Sequence, residues 1–131
     1  MKGKRILIVD DDRVVLESCR RILESEGFDV KLVSTAKAAM EQLEQTGTFD
    51  MMIMDVKMPE RDGVYLLENI TEKWPLNSWP KLPVLVMSGY PTPETIQSLI
   101  RKGAREFVPK PFTPEELLQA VYTLLKKSKD V

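Results

Sequence analysis

Five short apolar runs, rich in β-branched residues, alternate with five stretches of helical periodicity, and this alternation constrains the fold more than any other feature. The runs are Arg5 to Val9, Asp29 to Val33, Met51 to Met54, Val84 to Met87 and Arg105 to Val108. The first, third and fourth are nearly continuous in apolar residues, as strands buried on both faces of a parallel sheet must be. Val15, Cys19, Ile22 and Leu23 share one helical face, and Gly27 stops that helix. Ala36, Ala39, Met40 and Leu43 share another, with Gly47 beyond; Val64, Leu67 and Ile70 follow Asp62-Gly63. Ile96, Leu99 and Ile100 follow Thr92-Pro93-Glu94, a cap with proline at the first helical position, and Gly103 closes that helix. Leu117, Val121, Leu124 and Leu125 follow Thr113-Pro114-Glu115-Glu116, which has the threonine and glutamate of a capping box. Alternating strand and helix predicts an α/β fold with helices on both faces of a parallel sheet. Five units suit the open, doubly wound form, since the closed barrel needs about eight. The length of 131 residues suits one domain, with a core over about 4–127 and a polar tail at 128–131.

Composition narrows the function. The net charge of −1 offers no basic surplus for direct nucleic-acid binding. The apolar runs are far shorter than the about 20 residues of a membrane span. The basic start, Met1-Lys-Gly-Lys-Arg5, leads into only four apolar residues before three aspartates, so it lacks the apolar region of a signal peptide. The single cysteine, Cys19, excludes an internal disulfide and fits a reducing compartment, and its helical setting predicts a core position. A cytoplasmic protein with no membrane contact is expected. The absence of histidine removes histidine-based acid–base, metal and phosphotransfer chemistry. Carboxylates, lysine and hydroxyls remain.

In open α/β sheets, ligands bind outside the carboxyl ends of the strands. Asp10-Asp11-Asp12 follows the first run, Asp55 the third, Ser88-Gly89 the fourth, and Lys110-Pro111 follows the fifth just past Pro109. Each alone is an ordinary turn, cap or surface residue. Together, four strand ends supply the parts of one site. Three nearby carboxylates repel unless a cation joins them; a divalent ion such as Mg²⁺ takes hard oxygen ligands, and Lys110 adds a further positive charge. Aspartate can act as a nucleophile toward phosphorus, with the protein supplying position and charge stabilisation.

These residues carry a resemblance. Ile6-Leu-Ile-Val-Asp-Asp-Asp12, Met54-Asp-Val-Lys-Met-Pro-Glu-Arg-Asp-Gly63, Val84-Leu-Val-Met-Ser-Gly89 and Phe107-Val-Pro-Lys-Pro-Phe112 resemble the receiver domain of bacterial two-component response regulators, over about residues 4–127. The resemblance implies a flavodoxin-like sheet of order 2-1-3-4-5 with five helices. It implies that Asp55 is phosphorylated. Asp10, Asp11, Asp55 and the backbone carbonyl of Lys57 would hold Mg²⁺, with Mn²⁺ as a substitute. Asp11 would be the direct ligand of the acidic pair, Asp10 would act largely through water, and Asp12 would cap the first helix. Ser88 would bond a phosphoryl oxygen, Lys110 would pair with the phosphoryl group, and Phe107 would turn inward on activation. The Lys110-Pro111 bond would be cis.

Lys57 and Tyr90 occupy positions that vary in the family and tune phosphate lifetime; a large Tyr90 would screen the acyl phosphate from water and slow its hydrolysis. The stretch from Trp74 to Pro83 is longer than usual before the fourth strand, and is expected to fold back on the third helix or to offer a docking patch. With no histidine in the chain, the donor would be a histidine kinase or phosphotransfer protein. The output would lie in a separate partner or in a covalently linked domain, the chain being either a single-domain regulator or the receiver of a longer protein. Its chemistry would be limited to its own phosphorylation and dephosphorylation, so it is not expected to be an enzyme. A phosphorylation-independent interaction module is the main rival. An aspartyl-phosphate phosphatase is disfavoured, because such enzymes want a second aspartate where Lys57 stands. No nucleotide-binding glycine motif occurs.

Overall fold

The computed structural model describes residues 3–46, 49–55, 82–89, 92–101 and 103–129. In chain order its elements are β1 (Arg5–Val9), α1 (Arg13–Glu24), β2 (Asp29–Val33), α2 (Ala36–Thr46), β3 (Met51–Asp55), β4 (Val84–Ser88), α3 (Pro93–Arg101), β5 (Glu106–Pro109) and α4 (Pro114–Lys129). The strands form one parallel sheet in the order β2-β1-β3-β4-β5. The expected α/β architecture and strand order are therefore present. The helical pattern at Val64, Leu67 and Ile70 and the stretch from Trp74 to Lys81 lie outside the described residues.

Strand alternation builds two cores. Leu7, Val9, Met52, Met54, Val84 and Val86 face one side, where Ala36, Ala39 and Leu43 of α2 and Leu99 of α3 cover them. Ile6, Ile8, Met51, Ile53, Leu85 and Met87 face the other, under Leu16, Cys19 and Leu23 of α1 and Leu117, Val121 and Leu124 of α4. β3 and β4 are buried along their whole length, whereas β2 at the sheet edge carries exposed Asp29 and Lys31. The helix punctuation acts as its chemistry requires. Thr113 Oγ1 accepts from Glu116 N at 3.1 Å and Glu116 Oε1 accepts from Thr113 N at 2.8 Å, a reciprocal capping box. Gly27, at φ 92°, follows α1 in a left-handed turn that a side chain would strain.

Three details differ from the sequence pattern. β3 and β4 each run one residue further than the apolar runs, and β5 is shifted by one, because the ladder continues: Asp55 pairs with Met87, and Ser88 with Pro109. Asp55 and Ser88 are thus the last residues of strands. In α1 the buried line is Leu16, Cys19 and Leu23, and Val15 and Ile22 are half-buried at its margin. In α3, Leu99 is buried but Ile100 is 57% exposed, since the helix rests on the sheet by a narrower stripe than its apolar residues could cover.

Candidate functional site

The carboxyl edge of the sheet gathers the polar groups. Asp10 continues β1, its N–H donating to Val33 O at 3.2 Å; Asp55 and Ser88 end β3 and β4; Lys110 follows β5, its N–H donating to Ser88 O at 2.8 Å. Among the described residues, Asp10, Asp55 and Ser88 are the buried polar or charged side chains, and Asp10 has no exposed surface at all. Asp11 is exposed beside them. Carboxylate oxygens of Asp10, Asp11 and Asp55 all lie within 4.8 Å of one another.

Lys110 joins two of them. Its Nζ lies 2.8 Å from Asp10 Oδ2 and 3.2 Å from Asp55 Oδ2. Asp10 Oδ1 accepts from Asp12 N at 2.8 Å, which fixes the aspartate against the start of α1. Asp12 is the cap of that helix, its Oδ1 accepting from Val14 N at 2.9 Å. The three aspartates after β1 thus divide into a buried member, an exposed member facing the cluster, and a cap.

The electrostatics follow from this packing. Burial raises the pKa of Asp10, and the nearby charge of Asp55 adds to the rise, against the lowering effect of hydrogen bonds from Lys110 and Asp12. Burial alone would lower the pKa of Lys110, but its hydrogen bond to Asp10 and the charges of Asp10 and Asp55 outweigh that, so it rises and the ammonium is held charged. Two carboxylates about 5 Å apart repel by about 3 kcal/mol at an effective dielectric of about 20. Among the described residues, one lysine faces three carboxylates, which leaves that set short of positive charge. An all-oxygen donor set with excess negative charge suits a hard divalent cation, so the residues present fit Mg²⁺.

The remaining candidates are distributed as follows. Phe107 is half-buried in β5 opposite Val86. The Lys110-Pro111 peptide bond is cis. Lys57 and Tyr90 lie outside the described residues. Cys19 is buried with its Sγ 4.0 Å from Met87 Sδ, and burial pushes its thiol up to about 12, so it behaves as a core residue. A feature that the motifs did not signal is a groove of about 650 Å³ between α1 and the β5–α4 connection. Its only trace in the sequence is an apolar residue, Val14, placed two positions after the Asp12 cap.

The family model of the response regulator receiver domain matches residues 6–122. The chain belongs to this family. It is a receiver domain of a two-component response regulator. It is 34% identical over 125 residues to the response regulator MprA of Mycobacterium leprae, an alignment that covers 95% of this chain and 52% of that protein. The chain spans about half the length of the curated relatives it matches. Among solved structures it is similar to a CheY-like receiver domain protein from Methanospirillum hungatei, with a TM-score of 0.86, 31% identity and 98% of both chains covered. It is also similar to NtrX of Brucella abortus, with a TM-score of 0.84 and 30% identity, over 97% of this chain and 27% of that one. Receiver domains serve as phosphoacceptors, and the acidic cluster of this one is compatible with Mg²⁺. Among the described residues, no helix is long and apolar enough to cross a membrane.

Proposed function

We propose that this receiver domain is a Mg²⁺-dependent phosphoacceptor switch in which Asp55 takes a phosphoryl group from a histidine kinase or phosphotransfer protein. The observation that carries the reading is the meeting of Asp10, Asp11 and Asp55 within 4.8 Å, with Lys110 Nζ on two of them. An Asp55 carboxylate oxygen bonds to phosphorus as the bond from phosphorus to the donor's imidazole nitrogen breaks; the electron pair leaves with the imidazole. Asp10, Asp11, Asp55 and the backbone carbonyl of Lys57 would hold the metal. Mg²⁺, or Mn²⁺ in its place, when bound supplies two positive charges and positions for phosphoryl oxygens. Lys110 neutralises the transferred group and Ser88 hydrogen-bonds it, both from the ends of strands already fixed by the sheet.

The phosphoryl group then biases β4, β5 and α3 toward a second arrangement, in which Phe107 packs inward. A separate partner or a linked output domain reads the changed surface. The domain works in the cytoplasm, touches neither membrane nor nucleic acid itself, and is a regulatory acceptor rather than an enzyme. Tyr90 shields the acyl phosphate, so Tyr90→Ala shortens its lifetime; an unchanged decay rate would remove that role.

The test is intact mass after incubation with acetyl phosphate, with and without Mg²⁺. One labile added phosphate that requires the metal supports the reading. A protein that gains nothing from acetyl phosphate or from phosphorylated histidine kinases contradicts it, and favours an interaction module.

A further inference from the structure

Asp10 and Asp11, two of the three carboxylates of the cluster, stand on a short span of chain that is tied at both ends. Upstream, the Asp10 N–H donates to Val33 O at 3.2 Å and so continues the sheet. Downstream, the ties pass through Asp12. Its N–H donates to Asp10 Oδ1 at 2.8 Å, its carbonyl accepts from Leu16 N at 3.1 Å, and its Oδ1 accepts from Val14 N at 2.9 Å. The extended backbone at Asp12, φ −91° and ψ 111°, lets the N–H turn back toward Asp10 while the carbonyl and the side chain serve α1. Asp11, exposed, lies between these two anchored neighbours.

The two oxygens of Asp10 are held differently. Lys110 Nζ holds Oδ2 at 2.8 Å, and the Asp12 amide holds Oδ1. The ammonium is shared with Asp55 at 3.2 Å and is the group proposed above to turn to the phosphoryl oxygens, so the amide is the hold on Asp10 that stays. An amide aims a carboxylate only as well as its own peptide is fixed, and the cap fixes this one. Thr35 offers a contrast. Its Oγ1 accepts from Ala38 N at 3.0 Å and caps α2 in the same way, but that segment carries none of the three carboxylates.

We propose that Asp12 is a positioning residue for the metal site: by capping α1 it fixes the amide that orients Asp10 and the span that carries Asp11, and so sets the affinity for Mg²⁺. This rests on the metal-dependent reading given above. Cap and charge make opposite demands at this position. As a charge near a cation, Asp12 would be replaceable by glutamate and not by asparagine. As a cap, it is replaceable by asparagine and not by glutamate, whose carboxyl lies one methylene too far out for the bond to Val14 N. Loss of a group that orients a metal ligand lowers affinity by about 10–100-fold. Here the Asp12 amide stays in the chain and only loosens, so the lower end of that range applies.

The experiment measures the Mg²⁺ dissociation constant by calorimetry for the wild type, Asp12→Asn, Asp12→Glu, Asp12→Ala and Thr35→Ala, with the folding of each checked by circular dichroism. Asp12→Ala and Asp12→Glu should bind about tenfold more weakly. Asp12→Asn should stay within about twofold of the wild type, because asparagine caps as well as aspartate. Thr35→Ala should not change the constant. Asp12→Asn as weak as Asp12→Ala would make Asp12 a charge and not a positioning residue, and an equal loss in Thr35→Ala would trace the effect to general stability. Either result overturns the proposal, as do unchanged constants in the Asp12 variants. The contrast between Asp12→Asn and Asp12→Glu decides the matter even if Asp12→Ala does not fold. A wild type that binds no Mg²⁺ overturns the metal-dependent reading as well.

Discussion

The two ends of the sheet hold similar residues in opposite balance. At the amino end, Lys4 lies 3.8 Å from Asp50 and Arg5 lies 3.4 Å from Asp29, while the Arg5 guanidinium sits 4.7 Å from the Phe49 ring centre. Asp50 also accepts from Arg5 N at 2.8 Å. There each cation has its carboxylate, and the groups are open to solvent. At the carboxyl end, Asp10 and Asp55 are buried, Asp11 stands beside them, and Lys110 is shared by the first two. Solvated one-to-one pairs contribute little energy and have nothing left to bind. A buried cluster short of positive charge stores repulsion that an incoming cation relieves. Chemistry therefore belongs at the second end.

Substitutions can break that contrast. The largest effect is expected from Asp55→Asn, which should abolish phosphate uptake from acetyl phosphate, while Asp50→Asn at the opposite end leaves it intact; intact mass reads both. Next, Lys110→Ala should slow uptake about 100-fold, as expected when a preorganised charge at a transfer site is removed. Lys4→Ala should not change the rate.

Metal addition sharpens the comparison on stability. At Mg²⁺ about 100 times its dissociation constant, the wild type should gain about 2.7 kcal/mol. Thermal melts should show a rise of several degrees, reversed by a chelator and much reduced in Asp11→Asn. The smallest effect is expected from Arg5→Ala, which removes an exposed ion pair and a cation–π contact worth about 1 kcal/mol together. Denaturant titration should detect that loss with no change in phosphate uptake.

Much of this contrast could be read in the sequence, for physical reasons. Central strands must be apolar on both faces, so Ile6 to Val9, Met51 to Met54 and Val84 to Met87 announced themselves, and the residues after them fell on one edge. Apolarity stops before hydrogen bonding does, which is why Asp55 and Ser88 proved to be strand residues rather than loop residues. The division of labour among Asp10, Asp11 and Asp12 was implied by resemblance; burial and the cap geometry give the cap and the buried member a physical basis. The sequence brings the Lys110 charge to the carboxylates; that its Nζ lies nearer Asp10 than Asp55 is a tertiary fact that no local pattern encodes. The exposure of Ile100 and the groove behind Val14 were equally hidden, since helical periodicity fixes a direction but not the width of the surface a neighbour covers.

The central claim is that the end of the sheet with excess negative charge is where phosphate is accepted, and mapping the phosphoryl group tests it most directly. The protein would be phosphorylated with acetyl phosphate and Mg²⁺ and reduced with borohydride, which converts an aspartyl phosphate to homoserine. Peptide mass spectrometry would then locate the change. Homoserine at position 55 alone is the expected result; homoserine at Asp29 or Asp50, or spread over several aspartates, would contradict the account.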